Sequence, residues 1–231
     1  MKTIGLLGGM SWESTLPYYR LINQGVNARL GGLHSARLLL YSVDFHDIEC
    51  LQREGRWAQA GSVLAAAATT LQAAGAEVLV LCTNTMHKVA PAIEAAIRIP
   101  LLHIADPVAA AVVGAGFRKV GLLGTRFTME QDFYRTRLRE RHGIEVLVPG
   151  AAGRDQVHRV IYEELCRGLL REESRAALCG VIAALVADGA EAVVLACTEI
   201  GLLVRPQDAT VPLYDSTALH AGAAVELALA D

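Results

Sequence analysis

Short apolar runs alternate with longer stretches of helical periodicity along the whole chain. The runs at residues 3–7, 36–42, 77–82, 99–104, 120–123, 144–148, 192–196 and 212–215 are rich in Val, Ile and Leu and are closed by glycine or small polar residues. Such runs read as strands buried on both faces. Helical patterns fill the intervals at 12–30, 57–74, 107–116, 157–170 and 175–188, with a short piece at 48–53, another ending near Ile97, and a last one at the C-terminus. Strand and helix alternate throughout, which predicts an α/β fold with mostly parallel sheets. Trp12 to Leu30 is stopped by Gly31-Gly32, and Asp106-Pro107 marks a break, since proline biases the residue before it away from helix.

The pattern occurs twice. Gly75-Ala76-Glu77-Val78-Leu79-Val80-Leu81 matches Gly189-Ala190-Glu191-Ala192-Val193-Val194-Leu195. Lys2-Thr3-Ile4-Gly5-Leu6-Leu7-Gly8 matches Arg118-Lys119-Val120-Gly121-Leu122-Leu123-Gly124, and Ile99-Pro100-Leu101 matches Val211-Pro212-Leu213. Three matches in one order indicate an internal duplication. The expected architecture is two pseudo-symmetric lobes, each a mostly parallel sheet flanked by helices, facing each other across a cleft. On this alignment Cys197 falls opposite Thr83, and Thr198 opposite Asn84.

Ligands of open parallel sheets bind outside the carboxyl ends of the strands. Cys197 stands at such an end, ahead of a possible helix start, where a helix N-terminus would favour the thiolate. Read alone, it is first of all the buried structural cysteine that free thiols commonly are. Thr128-x-x-Gln131 has the form of a capping box, so Thr128 reads as a cap or as a ligand. Val43 to Asp47 reads as an irregular loop in which His46 is solvated or capping, and Gly150 to Asp155 as another loop. Gln52 and Arg53 read either as cleft-facing or as solvated polar residues.

Composition narrows the chemistry. The 231 residues are 53% hydrophobic and 19% charged, enough for a large core and far from a disordered composition. A net charge of −3 argues against an electrostatic grip on nucleic acid. Five cysteines at 50, 82, 166, 179 and 197 show neither metal-ligand spacing nor a disulfide framework, which predicts reduced thiols in a cytoplasm. No signal-peptide pattern opens the sequence, and no run of about 18 apolar residues predicts a membrane span. The Gly8-Gly9 turn is neither a Gly-x-Gly-x-x-Gly fingerprint nor a P-loop, Gly-x-Ser-x-Gly is absent, and no cofactor-lysine motif is visible. What is left is a thiol and a hydroxyl at mirrored strand ends, ringed by Thr, Asn and Ser. Such a ring can hold a carboxylate with neutral donors. Two proton carriers on opposite faces of one carbon are what inversion of a stereocentre requires.

Gly5-Leu6-Leu7-Gly8-Gly9-Met10-Ser11, Thr83-Asn84-Thr85-x-His87, Leu123-Gly124-Thr125-x-x-Thr128 and Cys197-Thr198-Glu199 together carry a resemblance. The chain resembles the cofactor-independent aspartate/glutamate racemase family over essentially its whole length, nearest to its bacterial L-aspartate/glutamate-specific branch. The resemblance implies two α/β lobes, a site in the cleft, a small amino-acid substrate, no cofactor or metal, and a homodimer. It implies that the second lobe is inserted: residues 1–105 plus 210–231 form the first lobe and 106–209 the second. It gives Cys197 the role of the second catalytic cysteine and puts Thr83 where most members place the first. Asn84, Thr85, Thr125, Thr128 and Thr198 match residues that hold the substrate's α-carboxylate and amino groups. Met10, Ser11 and Gln52 match the side-chain end of the pocket. Cys82, one position early, should point to the opposite face of its strand. Where many aspartate racemases carry a lysine after an Ile-Tyr-Glu run, this chain has Cys166-Arg167 after Ile161-Tyr162-Glu163. Two other functions fit a single thiol: a decarboxylase or isomerase of the same superfamily, or a non-catalytic small-molecule binding protein.

Overall fold

Each expected strand pairs only in parallel, so each sheet sends all its strand ends to one edge. The computed structural model describes residues 1–230. The first sheet contains β1 (Ile4–Gly8), β2 (Leu38–Ser42), β3 (Val78–Leu81) and β4 (Leu101–Leu102) in the order β2-β1-β3-β4. The second contains β5 (Lys119–Gly124), β6 (Glu145–Leu147), β7 (Ala192–Ala196) and β8 (Leu213–Asp215) in the order β6-β5-β7-β8. The two orders are the same, strand for strand, as the sequence duplication requires. Among the described residues, no helix is long and apolar enough to cross a membrane.

Alternation of side chains divides each core in two. In the first sheet Leu7, Leu79 and Leu81 face α2 (Phe45–Arg53), α3 (Trp57–Ala73) and α4 (Ala90–Glu94). Ile4, Leu6, Val78 and Val80 face α1 (Trp12–Leu30) and the end of the C-terminal helix. In the second sheet Leu123, Val193 and Leu195 pack on α8 (Ala151–Glu163) and α9 (Glu172–Ala187). Val120, Leu122 and Val194 pack on α5 (Ala105–Gly114) and α7 (Asp132–His142). Burying one Leu, Ile or Val side chain stabilises by about 1.5–3 kcal/mol, and these layers consist of little else.

The repeated Gly-Ala-Glu has one structural job, performed twice. Gly75 and Gly189 take φ of +99° and +95° as α3 and α9 end, a conformation that suits glycine. The glutamate after each then clamps the entry of the central strand. Glu77 accepts from the Thr3 amide at 2.6 Å through Oε2 and donates its own amide to the Thr3 carbonyl at 2.8 Å. Glu191 accepts from the Arg118 and Lys119 amides, both at 2.8 Å, and donates its amide to the Lys119 carbonyl at 2.9 Å.

Several local expectations shift. The segment 43–47 is a loop only to Asp44, whose side chain caps α2 by accepting from the His46 amide. Helix α5 runs through Pro107, because a proline in the first turn removes an amide that has no partner there. Gly150–Asp155 is not a loop: Gly150 precedes α8, which starts at Ala151. The helix expected up to Ile97 is a tight 3-10 turn, Thr85–Val89, and the five-residue α4.

The chain divides into Met1–His103 with the segment from His220 onward, and Ile104–Leu219. The first boundary lies two residues before the expected 105/106. The second lies ten residues after the expected 209/210. The reason is β8: Leu213, Tyr214 and Asp215 pair with Val193, Val194 and Leu195, and the Val193 amide donates to Pro212, so this strand belongs to the second sheet. The chain changes unit within α11 (Ser216–Leu229). From His220 onward Ala221, Ala224, Val225 and Ala228 lie in the first core, and the Lys2 amide donates to Ala228.

The turn after β1 tests this reading. Gly9 has φ of +90°, and a Cβ there would lie 2.6 Å from the Val43 nitrogen. Gly9→Ala should destabilise the protein by about 1–3 kcal/mol through backbone strain, read as a lower midpoint of urea denaturation. An unchanged midpoint would contradict the crowding of this turn.

Candidate active site

In the first unit, β1 and β3 are neighbours in register, Leu7 beside Leu81, so the residues after them emerge together. After β1 come Gly9, Met10 and Ser11. Thr15, one turn into α1, donates its hydroxyl to the Ser11 carbonyl at 2.8 Å and accepts from the Gly9 amide at 2.9 Å. Ser14 also donates to the Ser11 carbonyl, at 3.0 Å. After β3 come Cys82, Thr83 and Asn84, then Thr85 in the tight 3-10 turn. Met10, Ser11, Thr83, Asn84 and Thr85 are all buried. His87 Nδ1 lies 2.7 Å from the Thr83 carbonyl, which can only accept, so Nδ1 carries the proton and the ring fixes the Thr83 backbone. Gln52 is buried rather than solvated, and its Nε2 donates to Met86 Sδ at 2.9 Å. That bond ties α2 to the turn that carries Thr85. Arg53 and His46 are exposed.

Cys82 is a core residue. It shares a cluster with Val78, Val80, Tyr18 and Ile22, on the face opposite Leu79 and Leu81. Its amide donates to Leu7, and burial raises its thiol pKa far out of the ordinary range. Ala196, the residue aligned with Cys82, has the matching core position in the second sheet.

In the second unit, the register Gly124 beside Ala196 brings Thr125 and Cys197 out of neighbouring strands. The expected capping box is absent in that form. Thr125, not Thr128, caps the short α6 (Arg126–Glu130), and accepts from the Thr128 amide at 3.3 Å. The fully buried Thr128 hydroxyl lies 3.2 Å from that of Thr125, so the two form one pair. Cys197, Thr198 and Glu199 follow β7, all buried.

The environment of Cys197 differs from the expected thiolate site. The helix ahead of it, α10 (Ile200–Leu203), has only four residues and offers little dipole. Cys197 is 5% exposed, and its Sγ lies 3.1 Å from Glu199 Oε2 as donor. Burial first, then the Glu199 charge, raises its pKa well above the ordinary thiol value, while the Glu199 amide works against that shift. At rest Cys197 is a thiol. Glu199 and Cys166 are the residues here that sequence reasoning left without a role. The available signal was a glutamate between Thr198 and Ile200, inside a run otherwise apolar or small. Among the described residues, no group of three or more His, Cys, Asp or Glu side chains is placed to hold a metal ion.

Alkylation with iodoacetamide at pH 7.5, resolved by peptide mass spectrometry, should modify the half-buried Cys50 well before Cys197, and Cys82 last. Cys197 reacting first would mean that its resting state is the thiolate.

The sites sit in a chain with clear relatives. The sequence profile of the Asp/Glu/Hydantoin racemase family matches residues 7–224. A crystal structure of a candidate Asp/Glu racemase from Yersinia pestis is 60% identical, covers all of both chains and superposes with a TM-score of 0.92. An aspartate racemase homologue from Pyrococcus horikoshii OT3 is 34% identical over 99% of each chain, with a TM-score of 0.84. The aspartate racemase of Picrophilus torridus, at 20% identity over 99% of this chain and 94% of its own, shares the fold with a TM-score of 0.79. Sequence, duplicated topology and relatives agree: the chain belongs to the Asp/Glu/Hydantoin racemase family.

Proposed function

We propose that the chain is a cofactor-independent racemase of aspartate or glutamate, with Cys197 and Thr83 serving opposite faces of the α-carbon. The observation that carries this reading is positional equivalence. Cys197 is the second residue after Leu195, and Thr83 the second after Leu81, in sheets of the same strand order. Each is buried, and buried neutral donors stand in the same unit: Asn84 and Thr85 after β3 with Thr83, Thr125 and Thr128 after β5 and Thr198 after β7 with Cys197. Those donors suit the α-carboxylate and amino groups; Met10, Ser11 and Gln52 suit the side-chain end. A homodimer in the cytoplasm belongs to the same reading. The exposed Trp12, Leu16 and Tyr19, spaced along α1, support the first, and five free thiols the second.

The two carriers are chemically unequal. A sulfur gives up a proton as a thiol and takes one as a thiolate, so it can serve in either direction. A threonine hydroxyl can donate to a carbanion but is far too weak an acid to wait as an alkoxide. Cys197 therefore deprotonates the L enantiomer, and the carbanion most often regains its proton from the same sulfur. In deuterated water, L-aspartate or L-glutamate should gain α-deuterium faster than it inverts, and the D enantiomer should exchange slowly with low kcat. The enantiomers have equal free energy, so kcat/KM is equal in both directions and a low kcat from D comes with a low KM. Cys197→Ala should abolish inversion, whereas Thr83→Cys should raise the D-to-L rate by up to ~10²–10⁴-fold, the usual worth of an added acid–base group. Chiral chromatography with mass spectrometry reads all of these. Equal kcat for both enantiomers in the wild type would remove Thr83 as the weak partner.

The missing second thiol favours one other reading, a single-cysteine decarboxylase or isomerase, which needs a proton on one face only. Turnover of malonate-type or maleate substrates without inversion of amino acids would establish that reading instead. On the racemase reading, dialysis against a chelator and treatment with a carbonyl reagent should leave the rate intact. Activity lost in this way and restored by one added metal or by pyridoxal phosphate would refute cofactor independence.

A further inference from the structure

Three donors converge on one buried carboxylate in the second unit. Glu199, 2% exposed, accepts from the Cys197 thiol (3.1 Å) and the Thr198 hydroxyl (2.7 Å) at Oε2, and from the Cys166 thiol (3.5 Å) at Oε1. Cys166 arrives from the 3-10 turn Leu165–Arg167 that follows α8. The nearby carboxylates are engaged elsewhere. Asp215 accepts from the Thr217 and Ala218 amides, and Glu164 accepts from Ser174 at 2.6 Å and lies 4.0 Å from Arg171. Burying a carboxylate is costly unless it is held by hydrogen bonds. A carboxylate retained against the sulfur of a candidate acid–base group has a chemical use that packing alone would not require.

We propose that Glu199 is the positioning residue that accepts the thiol proton of Cys197 and thereby makes that sulfur a base, with Cys166 fixing the carboxylate's second oxygen. The inference rests on the racemase reading of Cys197. The step balances within the site. The Sγ–H bond breaks, sulfur keeps the electron pair, and an O–H bond forms on Oε2, so a thiol and a carboxylate become a thiolate and a carboxylic acid. The thiolate then takes the α-proton and returns one to the carbanion, and Oε2–H gives its proton back to sulfur. The site ends as it began. The Glu199 amide, which donates to the same sulfur, favours the thiolate during the interval. One residue thus supplies the proton acceptor and a donor for the anion it creates.

The test separates chemistry from packing by two readouts that should move in opposite directions. In Glu199→Gln, removal of the negative charge makes the thiol easier to ionise by bulk base. Alkylation of Cys197 at pH 8 should therefore become several-fold faster. The α-deuterium exchange of L-aspartate or L-glutamate should fall ~10²–10⁴-fold, because the internal acceptor is gone. Both readouts falling together would be a packing effect and would overturn the proposal, as would unchanged exchange. If wild-type protein exchanges no α-proton at all, the racemase reading fails, and alkylation still decides whether the carboxylate governs the sulfur. Should the Gln variant not fold, Cys166→Ala and Cys166→Ser serve. Loss of the donor to Oε1 removes one of the bonds that hold Glu199 against the sulfur, so α-deuterium exchange should fall in Ala and return in Ser. Unchanged exchange in Ala, or no recovery in Ser, overturns the proposal.

Discussion

Parallel pairing of two central strands in each unit is the constraint on which the rest depends. Because β1 pairs with β3 and β5 with β7 in the same direction, each pair releases its chain at one edge. The register decides which residues emerge side by side: Met10 and Ser11 near Thr83, and Thr125 near Cys197. Helices on both faces bury the strands, which is why the strands can be almost wholly aliphatic. Polar side chains enter only where the strands stop.

The same arrangement is secured twice by a glutamate at the opposite end of the sheet. Glu77 and Glu191 satisfy amides at the entries of β1 and β5, groups that have no ladder partner there. Sequence similarity between the halves is thus concentrated where backbone geometry demands it. At the other end, where the strands stop, the halves diverge. The residues after Leu81 and Leu195 are Cys-Thr-Asn and Ala-Cys-Thr. Strand alternation turns this small difference into a large one, because the sulfur of Cys82 enters the core while that of Cys197 stands at the strand end.

The electrostatics at Cys197 give that sulfur two states. A buried thiol beside a carboxylate is held protonated, and the same carboxylate is the nearest place for its proton to go. A helix dipole would have favoured one charge state permanently. On the proposed reading, the pairing with Glu199 keeps both states within reach, which an acid–base role would require.

Strand positions, the duplication, the α/β class and the strand-end location of Thr83 and Cys197 were all legible in the sequence, because aliphatic periodicity and repeated glycine turns are local signals. The family was legible from four short motifs. Only the tertiary structure decided the rest. That residues 213–215 stay with the second sheet depends on pairing with β7, a contact distant in sequence. That Thr125 rather than Thr128 caps α6 depends on where the backbone leaves β5. That Cys197 rests as a thiol depends on burial and on the fold of its own strand exit, which turns Glu199 back onto the sulfur. Cys166 joins them from a turn 31 residues earlier in the chain (197 − 166). Hydrophobic pattern specifies which segments are buried; it carries no information on which buried polar groups meet, because those meetings are fixed by packing between elements far apart in the sequence.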